Sequence, residues 1–225
     1  MSNIKGLDIW TFSETWLSHS IQEEEIHIPG YNCVRRDREG KQGGGVAIYC
    51  RESLNFIEQE DLMNANKSVW IKINRTRCKP LIIGNVYRPP DQPVDIFLDN
   101  LNYSLSRIDS TNDKVLLGDF KIDFSVQQKN ANFSLKRRLR GITEAFDLKQ
   151  LIKEPTRVTE HSETLIDLVF TNANHKVVES GVFDLGHSAH SLVYCVLKSG
   201  RPRVAPKTIE YSYIFIQELQ QRLFQ

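Results

Sequence analysis

The sequence predicts an α/β (α+β) protein in which two sheets pack face to face with helices on the outside. Two observations carry this. Short runs of β-rich, alternating residues recur every 10–15 positions or so with turn signals between them, the mark of an antiparallel-rich sheet system. Two stretches with helical apolar spacing separate some of these runs, and helices must cover sheet faces. A third observation bounds the answer: 225 residues with 40% hydrophobic and 25% charged content suit one large domain that buries a sizeable core without staples.

In chain order, LDIWTF (7–12) is a β-rich run that ends at Ser13-Glu14-Thr15. YNCVRR (31–36) alternates as a strand. GGGVAIYCR (43–51) leaves a glycine turn and continues as another, and SVWIKIN (68–74) puts Val69, Ile71 and Ile73 on one side. KPLIIGNVYRPP (79–90) is a strand stopped by two prolines. Val94, Phe97, Leu98, Leu101, Leu105 and Ile108 then fall at helical spacing, with Pro93 suited to the first turn. A strand at 113–118 follows. Phe133, Leu135, Leu139, Ile142 and Phe146 trace a second amphipathic helix, and TLIDLVFTN (164–172) and HSLVYCVLK (190–198) are the last clear strands. SGRPRVAPKT (199–208), rich in proline and basic residues, is expected to be a linker, followed by a tail that could form a short helix. The domain is therefore placed at 1–198 and the linker and tail at 199–225.

A net charge of +1 means that any nucleic-acid site is a local patch rather than a global field. KRRLR (136–140) offers such local charge, but a run of this kind is more often the solvated face of a helix, here the second one. Cys33, Cys50, Cys78 and Cys195 show no metal-ligand spacing and read as reduced structural thiols. No leader and no membrane span is visible, so an intracellular setting, cytoplasmic or nuclear, is expected. The N-x-S/T matches at Asn66, Asn74, Asn102 and Asn132 are then chance.

The chemistry lies at strand ends. In VLLGDFKIDF (115–124) a buried strand runs through Gly118 into Asp119. A carboxylate ending a core strand is costly unless paired, and so is a site candidate. Glu14 and Asp167 also cap or interrupt apolar strands, and His190 begins one. Singly, each carboxylate fits a turn or helix cap. Jointly, they could meet on one rim of a sandwich.

Seven stretches in order, covering about residues 4–198, carry a family resemblance: DIWTFSETWL (8–17), GGGVAIYCR (43–51), NVYRPP (85–90), LLGDFKID (116–123), PTR (155–157), TLIDLVFTN (164–172) and SAHSLV (188–193). The chain resembles the endonuclease/exonuclease/phosphatase superfamily, and within it the apurinic-type endonucleases of non-LTR retrotransposons. The resemblance implies a four-layer α/β/β/α sandwich that hydrolyses phosphodiesters in DNA with Mg²⁺ or Mn²⁺. It implies that Glu14 binds the metal, which suits a cation preferring one or two carboxylates plus water and phosphate oxygens. Tyr87 would bond the scissile phosphate, Asp119 would position and activate the attacking water, and Asp167 would orient His190 at the phosphate. Thr156 and Ser188 would contact the phosphate or its surroundings.

Three departures stand out. Lys121 replaces the family's asparagine; it offers donors and charge but no acceptor, and so either blunts Asp119 or grips phosphate itself. Ala189 replaces an aspartate. The family's first strand, with its metal-site asparagine, is not found, since Asn3 lies too close to Glu14. An N-terminally truncated, association-prone, catalytically impaired or inactive copy is the expectation, its tail leading towards a reverse transcriptase region absent from the chain. The competing readings are a non-catalytic nucleic-acid-binding remnant and another phosphatase or lipid phosphodiesterase of the same fold.

Overall fold

The computed structural model describes residues 6–38, 43–63, 67–125, 132–186 and 188–198. The expected linker and tail (199–225) and Asn3 lie outside the described residues. In chain order the elements are β1 (Ile9–Ser13), β2 (Tyr31–Arg36), β3 (Val46–Arg51), β4 (Phe56–Glu58), β5 (Lys67–Ile73), β6 (Leu81–Tyr87), α1 (Val94–Ser106), β7 (Asp113–Asp119) and α2 (Asn132–Ala145). Then come β8 (Lys149–Gln150), β9 (Arg157–Thr159), β10 (Ser162–Thr164), β11 (Asp167–Thr171), β12 (Val177–Phe183) and β13 (Leu192–Leu197). They form a three-stranded sheet β1-β3-β2, a six-stranded sheet β4-β5-β6-β7-β11-β8, and the hairpins β9–β10 and β12–β13.

The antiparallel-rich expectation holds: among these strands only β6 and β7 pair in parallel. Parallel neighbours need a crossover. Here Pro89 and Pro90 stop β6, and α1 makes the crossing. All seven residues of β6 are buried, as befits a strand covered on both faces. On one side lies the three-stranded sheet. On the other, α1 buries Phe97, Leu98, Leu101 and Leu105. Phe97, Phe120, Phe170 and Phe124 then form an edge-to-face chain, with centroids 5.9, 5.5 and 5.9 Å apart in that order. Each such buried side chain contributes roughly 1.5–3 kcal/mol. α2 buries Leu139 and rests Leu135, Ile142 and Phe146 on the same core.

The outer face of the three-stranded sheet carries a smaller cluster around Tyr31, Ala47 and Tyr49. Among the described residues its cover is loop with a single 3-10 turn, Glu23–Glu25, so on that side the outer layer is irregular. Asn85, in mid-β6 and fully buried, ties the two sheets together. Its amide donates to the carbonyls of Phe12 (2.8 Å) and Ala47 (3.2 Å) and accepts from the Ser13 hydroxyl (3.4 Å). All four cysteines are free thiols; burial pushes Cys33 and Cys195 up to about 11 and Cys50 to about 12. Among the described residues no helix is long and apolar enough to cross a membrane.

At the start of β7, remote from its carboxylate-bearing end, buried Asp113 pairs with Arg75 and with Lys176 (2.5 Å). Burial pushes its pKa up, but the bonds from Lys176 and Arg75 outweigh this and hold it below the usual carboxylate range. Asp113→Ala would leave two cations facing a vacant place. Its expected cost is about 3–5 kcal/mol, read as a lowered urea midpoint at unchanged slope.

Candidate active site

Register builds the centre. β6, β7 and β11 are neighbours, and Tyr87 pairs with Asp119 across β6–β7 while Asp119 pairs with Asp167 across β7–β11. Three side chains from distant sequence thus share one row at one end of the sheet. Gly118 permits this. Its φ is +137°, and a β-carbon there would lie 1.8 Å from the Val86 carbonyl oxygen.

Two carboxylates directly opposite one another repel, and here Lys121 and His190 each sit against one of them. Lys121 Nζ lies 2.7 Å from Asp119 Oδ2, and the Lys121 backbone N–H donates to Asp119 Oδ1 at 3.1 Å. His190 Nδ1 lies 3.0 Å from Asp167 Oδ2. Burial, then the charge of Asp167, pushes the Asp119 pKa up, against the pull of Lys121 and His190. The hydrogen bond to Asp167 raises that of His190. The Lys121 ammonium also sits 5.9 Å from the Tyr87 ring centroid.

The turn that returns Lys121 onto Asp119 is left-handed, with φ +50°. It is held by Arg88, whose guanidinium donates to the carbonyls of Phe120 (3.0 Å), Lys121 (2.8 Å) and Gln92 (3.2 Å). Sequence reasoning passed over both Arg88 and Asn85. The one available signal for Asn85 was a lone amide inside the apolar run LIIGNVY, since a buried polar group needs partners. Arg88, placed between a strand and two prolines, gave none that stands out.

The remaining candidates fall around this row. Glu14, at the end of β1, has φ +54° and accepts a hydrogen bond from the Tyr87 hydroxyl. Burial and then this bond raise the Tyr87 pKa. Thr156 is fully buried. Its hydroxyl oxygen accepts from the backbone N–H of Ile166 (3.1 Å) and Asp167 (2.9 Å), so it stands behind Asp167. Ser188 is exposed and accepts the His190 N–H at 3.1 Å. Exposed Ala189 gives its carbonyl to Val158 N–H (2.9 Å), and Ser191 N–H donates to Thr156 O (2.8 Å), which pins the His190 segment beside β9.

Asp119, Asp167 and His190 each offer a ligand atom, all within 4.8 Å of one another, a group able to hold a metal ion. Three of its oxygens are already engaged: both of Asp119 by Lys121 and Oδ2 of Asp167 by His190. Glu14, among the described residues, has only the Tyr87 hydroxyl on its carboxylate. Its hard oxygens suit Mg²⁺ or Mn²⁺.

A sequence model described as endonuclease-reverse transcriptase matches residues 81–194, half of the chain, from β6 through His190 into β13. The chain belongs to the endonuclease-reverse transcriptase family. The resemblance read from the motifs is thereby borne out. No curated protein matches the chain. Among solved structures, the endonuclease domain of TRAS1, a telomere-specific non-LTR retrotransposon, aligns with TM-score 0.64 at 19% identity, over 77% of this chain and 83% of that one. An AP endonuclease from Archaeoglobus fulgidus aligns with TM-score 0.60 at 18% identity, over 84% and 88%. A 3′ phosphatase, NExo from Neisseria, bound to a product DNA hairpin, aligns with TM-score 0.57 at 16% identity, over 85% and 89%. The family member thus shares the mixed α/β, multi-sheet fold of these enzymes.

Proposed function

We propose that the chain is a metal-dependent phosphodiesterase that nicks DNA, an endonuclease of retrotransposon type, with its rate held down by Lys121 and Ala189. The observation that carries this is the row Tyr87–Asp119–Asp167 with His190 clasped to Asp167 at 3.0 Å. Support comes from the family and from neighbours described as endonucleases and as a phosphatase bound to DNA.

Asp119 would align and deprotonate the attacking water. His190, whose cationic form the Asp167 carboxylate favours, would stabilise charge developing on the phosphate, and the Tyr87 hydroxyl would bond a phosphate oxygen. Thr156 would hold Asp167 from behind, and the Ser188 hydroxyl would meet the phosphate from the exposed side. Glu14 would hold Mg²⁺ or Mn²⁺, which would supply charge neutralisation at the phosphoryl oxygens. Lys121 acts against Asp119: an ammonium at 2.7 Å lowers the carboxylate's power to accept a proton. Once phosphate enters, the same ammonium can turn to it. Ala189 brings no side-chain group to the leaving oxygen.

The Lys121–Asp119 pair also favours a second reading, a non-catalytic nucleic-acid-binding module. Nicking of supercoiled plasmid separates the two. Weak Mg²⁺- or Mn²⁺-dependent nicking is expected, lost with EDTA and in Glu14→Ala. It should rise about 10-fold or more in Lys121→Asn, Ala189→Asp as the electrostatic groups are restored. Salt-dependent DNA binding with no nicking by either protein would give the second reading instead.

A further inference from the structure

The second sheet is open at one seam. β2 and β3 lie over β5, β3 also over β6, β1 over β6 and β7, and β13 over β11. This facing layer steps across the central sheet, and β1 and β13 come to stand on either side of the β7–β11 seam without pairing with each other. Leu117 reports the opening. It sits in mid-β7 between Asn85 of β6 and Val169 of β11, on the face that Asn85 turns to Phe12 and Ala47 of the second sheet. An apolar residue so placed belongs in the core. Yet Leu117 is only half-buried, while Leu116 beside it on the opposite face is fully buried. Ile9 of β1 and Val193, Cys195 and Leu197 of β13 likewise reach the core and stay part-exposed.

Among the described residues both borders of this seam are open backbone edges. The Arg51 N–H donates to Asp8 O, so by the alternation of an antiparallel ladder Ile9, Thr11 and Ser13 turn their N–H and C=O groups away from β3. On β13, the Lys198 N–H goes to Lys176 O, towards β12, and the Ser191 N–H goes to Thr156 O on the other side. Val193, Cys195 and Leu197 therefore share the edge of Ser191, and no described strand lies along them. The two borders run in opposite directions: β1 ends at Glu14 beside Tyr87, whereas β13 leaves His190 beside Asp167. Facing rows of unmet N–H and C=O groups are a template for a further strand.

The chain itself carries a segment that fits. IEYSYIFI (209–216) alternates Ile209, Tyr211, Tyr213 and Phe215 with Glu210 and Ser212 before Ile214 and Ile216, and it holds no proline. That is strand composition; as a lone short helix the segment would be marginal in water. The ten residues 199–208 are more than a hairpin connection needs. A chain returning from the end of β13 runs antiparallel to it and parallel to β1, and eight residues suffice for the five of β1 and the six of β13. We propose that residues 209–216 lie as a strand between β13 and β1, closing the second sheet in the order β12-β13-(209–216)-β1-β3-β2 and covering Leu117 with their apolar face. The added strand also braces β1, and with it Glu14. The proposal stands whether or not the chain cuts DNA.

The test is hydrogen–deuterium exchange of the full chain, read by mass spectrometry at residues 209–216, β1, β13 and, as a reference, β5. In the wild type, 209–216 should exchange at least about 10-fold more slowly than a free chain. Tyr213→Pro removes an N–H that a strand paired on both sides must use. It should speed exchange in β1 and β13 about 10-fold or more and leave β5 unchanged. Free-chain exchange at 209–216 in the wild type would overturn the proposal, a reading that needs no variant to fold. So would unchanged exchange in β1 and β13 of Tyr213→Pro, since the segment would then dock elsewhere. Protection of 209–216 that is lost on dilution, in step with a dimer-to-monomer change in light scattering, would give the strand to a second copy and overturn it as well.

Discussion

His190→Ala should lower metal-dependent nicking by about 10²- to 10³-fold, the usual loss for one preorganised electrostatic group, with little change in fold. His190 is only half-buried, and its backbone is pinned by contacts the substitution leaves in place, through Ser188, Ala189 and Ser191. In the proposed reaction the imidazolium does the work, and the hydrogen bond to Asp167 favours that form by raising the His190 pKa. The rate should therefore fall as pH climbs through that raised value. Asp167→Asn removes the carboxylate and should shift this alkaline limb towards the ordinary histidine value of about 6.5. Stability has the same sign. A folded-state pKa above the unfolded one means the pair's contribution is fully present below about pH 6.5, and is lost as pH rises through the raised value. Single-turnover nicking against pH for the wild type and both variants checks the rate. An alkaline limb that stays put in Asp167→Asn would show that the His190 imidazolium is not the group stabilising charge on the phosphate.

Gly118→Ala should be the most damaging glycine-to-alanine change among the described residues. The new methyl would meet Val86 O at 1.8 Å and Val86 C at 2.8 Å, on a backbone with φ +137°. Strain at such a φ costs about 1–3 kcal/mol, and overpacking adds about 1–3 more. The sum reaches the lower end of the whole stability of an ordinary domain, about 5–15 kcal/mol. Loss of soluble protein or a sharply lowered Tm is expected. Any folded fraction should be nearly inactive, since β6 and β7 cannot keep the spacing that sets Tyr87 beside Asp119. A variant melting within a few degrees of wild type would show that the strands can separate without cost.

Local pattern carried much of the fold. YNCVRR became β2 at its expected bounds, and the apolar spacing of 94–108 became α1, ending at Ser106, with Phe97, Leu98, Leu101 and Leu105 buried as expected and Ile108 just beyond the helix. β12 was not foreseen, because Glu179, Ser180 and Gly181 interrupt the alternation of VVESGVF. Its strand character comes from pairing along β13, not from its own composition. β4, β8, β9 and β10 are two or three residues long, too short for a periodic signal to rise above turn chemistry.

The candidate site divides in the same way. Carboxylates placed just past apolar strands, prolines that stop β6, and a glycine before Asp119 are local features, readable because each acts within a few residues through burial, φ or a missing N–H. Which of them meet was decided by the assembled sheets. Tyr87 and Glu14 are 73 residues apart and touch because Asn85 ties β6 to the first sheet. Asp119 and Asp167 face each other because β7 and β11 pair in one register rather than another. Lys121 could have gripped phosphate or Asp119, and in the folded chain Arg88, with bonds to the Phe120 and Lys121 carbonyls of that turn, holds the turn that sets it against Asp119. Strand order and register are collective outcomes of burying whole faces, and no single stretch of residues contains them.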